Sequence, residues 1–214
     1  METWAARLGL ASQDYAARAA RVLVSFDRFW YAEGGYLYDV IDSPNGGDAA
    51  LRPNQLFAIT LADDLLSPAR AKSVLDVVTN SLLTPFGLRS LSPHDPNYHS
   101  LFHGDQQQRD AAYHQGIVWG WLIGAYVDAY LHVYGDRAKA RALLGAFKAH
   151  LSQAGIGTIS EVFEADDAPS RGIWESDSKT NSPRDVASPP YRAVGCIAQA
   201  WSVAEVLRAY RLTE

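Results

Sequence analysis

The chain reads as an all-α protein: about six helices laid out as three hairpins, with minor short β-strands in the loops. Three observations predict this. Apolar residues recur at helical spacing through most of the long segments. Ser, Pro and Gly stand where helices start and stop. Strand-like alternation is confined to one short stretch.

Taken in order, residues 12–31 begin at Ser12, a cap candidate, and carry Tyr15, Ala19, Val22, Val24, Phe26, Phe29 and Trp30 at amphipathic spacing. The connection "YAEGGYLYDVIDSPNGGD" alternates Tyr36, Tyr38 and Val40 before a Pro-Asn-Gly-Gly turn, which predicts a short strand. "RPNQLFAITLADDLL" places Pro53 in a first turn and predicts a helix to Leu66; Ser67 and Pro68 open its partner, running to about Leu83. A loop rich in Pro, His and Gly from Thr84 to Asp110 leads to a predicted helix from about Ala111 to Tyr134. Gly135 and Asp136 turn that helix into "RAKARALLGAFKAHLSQ". After a loop over 154–192, "AVGCIAQAWSVAEVLRAYRL" gives the last helix, with Ile197, Trp201, Val203, Ala204 and Leu207 set for burial.

Composition narrows the function. With 214 residues, 48% of them hydrophobic, the chain is long enough to bury a core in a single domain. The net charge of -5 comes from 24 acids and 19 bases spread along the sequence, so there is no basic stripe for nucleic acid. The lone Cys196 cannot form an internal disulfide. It reads as a buried small residue at an apolar helix start. "METWAARLGL" lacks the basic start and apolar run of a signal peptide, and no apolar run reaches the roughly 20 residues a membrane span needs. The expectation is a cytoplasmic protein with no membrane or nucleic-acid partner.

Several motifs carry no chemistry. His94, His99, His103 and His114 are loosely spaced in a proline-rich loop and lack ligand-spaced helical pairing, so no metal is expected. Gly155-Ile156-Gly157 has no third glycine in register for a dinucleotide, and no G-x-S-x-G elbow occurs. The informative pattern is elsewhere. "LRPNQLF", "RDAAYHQGIVWGW" and "RAVGCIAQAWS" each decorate a predicted helix start with polar and aromatic residues. If those starts converged on one face they would suit a saccharide, whose ring faces stack on Trp or Tyr while Asn, Gln, Arg and His bond its hydroxyls.

Four stretches, "RPNQLFAITL", "GDQQQRDAAYHQGIVWGWLIGAY", "GTISEVFEADDAP" and "GCIAQAWSVAEVLRAY", together resemble the C-terminal part of the glycogen debranching, or amylo-α-1,6-glucosidase, family. The resemblance implies half of an (α/α)6 barrel, an inverting glycoside hydrolase without cofactor, and the release of single α-1,6-linked glucose units at branch points of glycogen or a related α-glucan. It assigns the catalytic carboxylate of the "ISEIFD"-like motif, as general base, to Glu161. Arg52, Asn54, Gln55, Arg109, Asp110, His114, Gln115, Trp119, Trp121, Gln199 and Trp201 match positions that line or brace the sugar site.

The departures from the family pattern have consequences. Gly116-Ile117-Val118-Trp119-Gly120-Trp121 stands where the family reads Gly-Thr-Val-Trp-Pro-Trp. The segment between Glu161 and Gly195 is longer than usual and reads as a surface loop. The family's general acid belongs to a "TWMD"-like motif that "METWAARL" does not match. The resemblance therefore puts roughly half the barrel and one catalytic carboxylate outside this chain. Asp110 reads as a helix cap or ion pair, and Glu164, Asp166 and Asp167 as an acidic turn, rather than as the missing acid. The apolar flanks of a half-barrel would be covered by a second copy or by the missing N-terminal half. A non-catalytic saccharide-binding or scaffold module is the alternative function.

Overall fold

The computed structural model describes residues 2–10, 13–61, 65–165 and 191–214. Helix α4 (Pro68–Ser81) shows most directly how sequence sets local form. The Ser67 hydroxyl accepts from the Arg70 N–H at 3.4 Å, Pro68 occupies the first turn, and Ala71, Val74, Leu75 and Val78 form one buried stripe. That stripe packs on α6 (Leu122–Tyr134), where the Thr79 and Tyr126 hydroxyls meet at 2.8 Å. On its other side α6 carries α9 (Ala200–Leu212), and Arg208 of α9 reaches Asp128 of α6 at 2.8 Å.

The helices are only part of the architecture. Strands β5 (Leu83–Thr84), β6 (Gly87–Arg89), β7 (Val118–Trp119), β8 (Val162–Ala165) and β9 (Tyr191–Val194) form one antiparallel sheet in that spatial order. Its register pairs Leu88 with Trp119, Trp119 with Val162 and Val162 with Val194. Phe163 of β8 stacks on Phe86 at 4.6 Å between ring centres, with the buried His150 against its edge at 5.0 Å. Two small hairpins complete the described sheet structure: β1 (Trp30–Tyr31) with β2 (Tyr36–Leu37), and β3 (Val40–Ser43) with β4 (Gly46–Asp48). The remaining helices are short or peripheral: α1 (Glu2–Arg7), α2 (Gln13–Phe26), α3 (Phe57–Thr60), α5 (Gln106–Ala112), α7 (Arg137–Ala142) and α8 (Gly145–His150). Among the described residues no helix is long and apolar enough to cross a membrane.

This architecture corrects the expected class. The fold is mixed α/β, and the all-α half of an (α/α)6 barrel built from three hairpins is not what forms, because a five-stranded sheet runs through its middle. Strands of two to four residues are too short to show a period of two. In β8 every residue is buried, so no alternation appears at all. Predicted helices fragment accordingly. Residues 53–66 hold a 3₁₀ turn over Pro53–Leu56 followed by the four-residue α3, with 62–64 outside the described residues. Residues 137–153 divide into α7 and α8, and the last helix starts at Ala200, its predicted beginning being the end of β9 and the turn after it. The Ser12 cap, Asp166, Asp167 and the 166–190 part of the expected loop also lie outside the described residues. Glu164 belongs to β8 and is buried, not part of an acidic turn.

The helix predicted from Ala111 to Tyr134 is interrupted: α5 ends at Ala112, a turn through Gly116 leads to β7, and α6 starts at Leu122. Asp105 caps α5 in a capping box with Gln108, both bonds at 2.9 Å, so this helix starts earlier than predicted. Gly116 then takes φ +139°, and a Cβ there would lie 2.5 Å from the His99 carbonyl oxygen. Gly116→Ala should therefore cost about 1–3 kcal/mol or more through backbone strain and collision. Urea denaturation checks this, and an unchanged midpoint would show that the turn does not need glycine.

Candidate functional site

Glu161 directly precedes β8, and its position is set by the sheet. Its N–H donates to the Cys196 carbonyl at 2.8 Å, and its carbonyl accepts from the Gly120 N–H at 3.3 Å. His150 fixes the turn before it. The Ser160 N–H donates to His150 Nε2 at 3.1 Å, so the ring hydrogen sits on Nδ1, facing Gln153 Oε1 at 3.1 Å.

The half-buried carboxylate receives three bonds: Oε1 accepts from the Tyr113 hydroxyl at 2.5 Å and Gln199 Nε2 at 3.4 Å, and Oε2 from the Cys196 N–H at 3.1 Å. Gly195, at φ +69°, brings the chain so close that a Cβ there would meet Glu161 Oε2 at 2.8 Å. Gln199 uses both ends of its amide, since its Oε1 also accepts from the Trp201 N–H at the start of α9. Cys196 is exposed, contrary to expectation; its backbone rather than its thiol serves the site.

Aromatic residues flank this carboxylate on two sides. Tyr113 meets Trp119 edge-on at 4.7 Å, His114 stacks on Trp119 at 5.2 Å, and Trp119 Nε1 donates to the Tyr113 carbonyl at 3.0 Å. Beyond Gln199, Trp201 stacks on Trp121 at 4.0 Å and Trp121 on Phe57 at 6.2 Å, a continuous shelf whose outer ring, Trp201, is 52% exposed.

Arg52 joins the turn that carries His114 and Gln115 to Asp39. Its Nη1 donates to the carbonyls of Ser90 and His114 at 3.1 and 2.7 Å, and Nη2 to Gln115 Oε1 at 2.9 Å. Its Nε faces Asp39 Oδ2 at 3.3 Å. Gln55 is buried and structural: Nε2 donates to the Arg52 carbonyl and Oε1 accepts from the Leu37 N–H. Asn54 reaches Asp39 at 3.5 Å. Burial pushes the Asp39 carboxyl above its ordinary range, with Arg52 and then Asn54 opposing.

The structure thus gathers Glu161, Gln199, Trp119, Trp121, Trp201, His114, Gln115, Arg52, Asn54 and Gln55 into one connected region. Among the described residues Arg109 and Asp110 are not joined to it: Arg109, on α5, donates to the Gly104 carbonyl just before that helix, and Asp110 is exposed. Glu164 is spent on Arg192 at 2.7 Å and the Phe102 N–H at 2.8 Å. Sequence reasoning passed over Tyr113 and Asp39. Tyr113 lies inside the most decorated stretch, immediately before His114, and Asp39 follows the aromatic alternation of Tyr36 and Tyr38.

Residues 1–176, which include Glu161 and all of these groups except those of β9, α9 and the turn between them, match the amylo-alpha-1,6-glucosidase family. The chain belongs to this family. A curated relative, the glycogen debranching enzyme of Saccharomyces cerevisiae, is 34% identical over 93 residues, covering 41% of this chain and 6% of the yeast protein. The chain is thus similar to a small part of that relative's length. Glycoside-hydrolase-like glucan processing is what this family membership supports.

The Tyr113–Glu161 contact has a measurable signature. Burial, then the bond to Glu161 and its charge, push the Tyr113 hydroxyl up to about 12. The unfolded chain ionises this group near its ordinary 10, so its contribution to stability is full below pH 10 and is lost as pH rises toward 12. Phenolate absorbance of the protein minus that of Tyr113→Phe should show a late-titrating group, and Glu161→Gln should move it to lower pH. A difference curve centred at 10 would refute the contact.

Proposed function

We propose that this chain is a C-terminal portion, and a single domain, of an inverting α-1,6-glucosidase acting at branch points of glycogen or a related α-glucan, with Glu161 as general base. One observation carries the reading. Glu161 is held by the phenol of Tyr113, the amide of Gln199 and the Cys196 N–H, and among the described residues Oε2 accepts one bond alone. A carboxylate oxygen has two lone pairs, so Oε2 retains one with which to take a proton from water. Trp201, the exposed outer ring of the aromatic stack on Trp121 and Phe57, offers an apolar face for a sugar ring.

Inversion requires a second carboxyl about 6.5–9.5 Å from the first, to protonate the leaving oxygen. Neither Asp110 nor Glu164 suits that role, one being exposed on α5 and the other buried and ion-paired. The aromatic shelf needs no acid to hold a glucan. That favours a saccharide-binding module as the second reading.

Glucose release from a branched limit dextrin decides between them. Glu161→Gln should lower turnover roughly 10²- to 10⁴-fold while leaving saccharide affinity largely intact. Trp201→Ala should weaken binding roughly 2- to 10-fold, the loss of one stacked ring. An unchanged glucosidase rate in Glu161→Gln removes the base assignment; no rate in the parent, with affinity lost in Trp201→Ala, selects the binding module.

A further inference from the structure

A cavity of about 320 Å³ lies between the end of α2, the β2–β3 link and the 3₁₀ turn leading to α3, with Glu161 outside its lining. We propose that this cavity is a subsite for one glucosyl unit of the glucan, and that Asp39 accepts hydrogen bonds from that unit's hydroxyls. The inference rests on the saccharide reading above and adds to it a place and a residue.

The lining has the two chemistries a pyranose needs. Phe26, Phe29 and Phe57 supply apolar ring surface, and Asp39, Asn54 and Arg52 supply a polar edge. The volume lies at the small end of ligand pockets, in keeping with a single sugar ring. Asp39 and Arg52 are the charged members of the lining, and they are not equally free. Arg52 donates three hydrogen bonds, to the Ser90 and His114 carbonyls and to Gln115, and is ion-paired with Asp39, so it serves as a brace with little left to offer a ligand. Asp39 receives Arg52 on Oδ2 and Asn54, at 3.5 Å, on Oδ1. Among the described residues each oxygen keeps a lone pair, and both are held in place by their partners. Two adjacent acceptors fixed at the edge of a part-buried cavity match two vicinal hydroxyls.

The cavity also adjoins the proposed reaction site along a continuous path. Phe57 lines the cavity and stacks on Trp121, Trp121 stacks on Trp201, and Gln199, which caps the helix bearing Trp201, bonds Glu161.

The competing role for Asp39 is purely structural, as the counter-charge of Arg52, and binding measurements separate the two. The full chain is titrated calorimetrically with isomaltose and with isomaltose analogues each lacking one hydroxyl on the terminal ring. Asp39→Asn, which keeps the side chain's shape, should weaken isomaltose binding at least tenfold, as expected for losing hydrogen bonds to a charged acceptor. For the analogue lacking a hydroxyl that Asp39 binds, the same substitution should cost much less. Phe57→Leu, which keeps an apolar side chain but removes the ring, should also weaken binding, with circular dichroism unchanged.

Equal weakening toward every analogue would make Asp39 a brace for Arg52 and overturn the proposal, as would unchanged affinity in Asp39→Asn or no saccharide binding by the parent chain. Because these readouts are affinities, they stand apart from the Glu161 assignment. If Glu161→Gln abolishes turnover while Asp39→Asn binds normally, the subsite fails and the hydrolase reading stands. If Glu161→Gln leaves turnover unchanged while Asp39→Asn discriminates among the analogues, the reverse holds.

Discussion

The region around Glu161 depends on the guanidinium of Arg52. A planar group with five donors can satisfy carbonyls and a carboxylate in different directions at once, and Arg52 uses this to hold the β2–β3 link, the segment after β6 and the turn after α5 against one another. Those segments are far apart in sequence, Arg52 and His114 being 62 positions apart. Lysine could not replace it: three donors on a flexible stem offer neither the number nor the fork geometry. Because the pair with Asp39 is largely withdrawn from water, each side chain at 20% exposure, removal of either partner leaves a poorly solvated charge.

From that node the two halves of the region are built by different means. On one side, short helices and turns place Asp39, Asn54 and Phe57 around a cavity. On the other, strand pairing places Glu161, because β8 is clasped between β7 and β9 and the residue before it inherits their register. The turn from Tyr113 to Gly116 joins the two. Its carbonyl at His114 and amide at Gln115 bind Arg52, while its phenol binds Glu161.

What could be read from the sequence follows from these means. Helix α4 was legible because Ser67, Pro68 and the stripe at Ala71, Val74, Leu75 and Val78 are all local signals. The convergence of aromatic and polar residues was also legible, since the decorated stretches do meet. The sheet was not, because strands as short as β5 and β7 have no detectable period and their pairing is non-local. The same blindness made "RDAAYHQGIVWGW" look like one helix start, when Gly116 separates a helix from a strand within it. Arg109 and Asp110, which the sequence puts in a loop, belong to α5, where Arg109 bonds the Gly104 carbonyl and Asp110 is exposed. The resemblance singles out Glu161, while the phenol and the backbone N–H that hold its carboxylate are visible only in the fold.

The pairing of β8 with β9 has an evolutionary corollary. Glu161 is seated by Gly195 and Cys196, which follow β9, and the two strands make an antiparallel pair over four residues each. Whatever chain connects Ala165 to Tyr191, the pairing returns Cys196 to the same carboxylate. Lengthening such a connection is inexpensive, about 0.6 kcal/mol for each doubling, since closure entropy grows only with the logarithm of length. Insertions and deletions can therefore accumulate between these two strands in relatives without moving the carboxylate. Diversity in that connection would then say little about whether Glu161 keeps its place, whereas a side chain at the position of Gly195 would say a great deal.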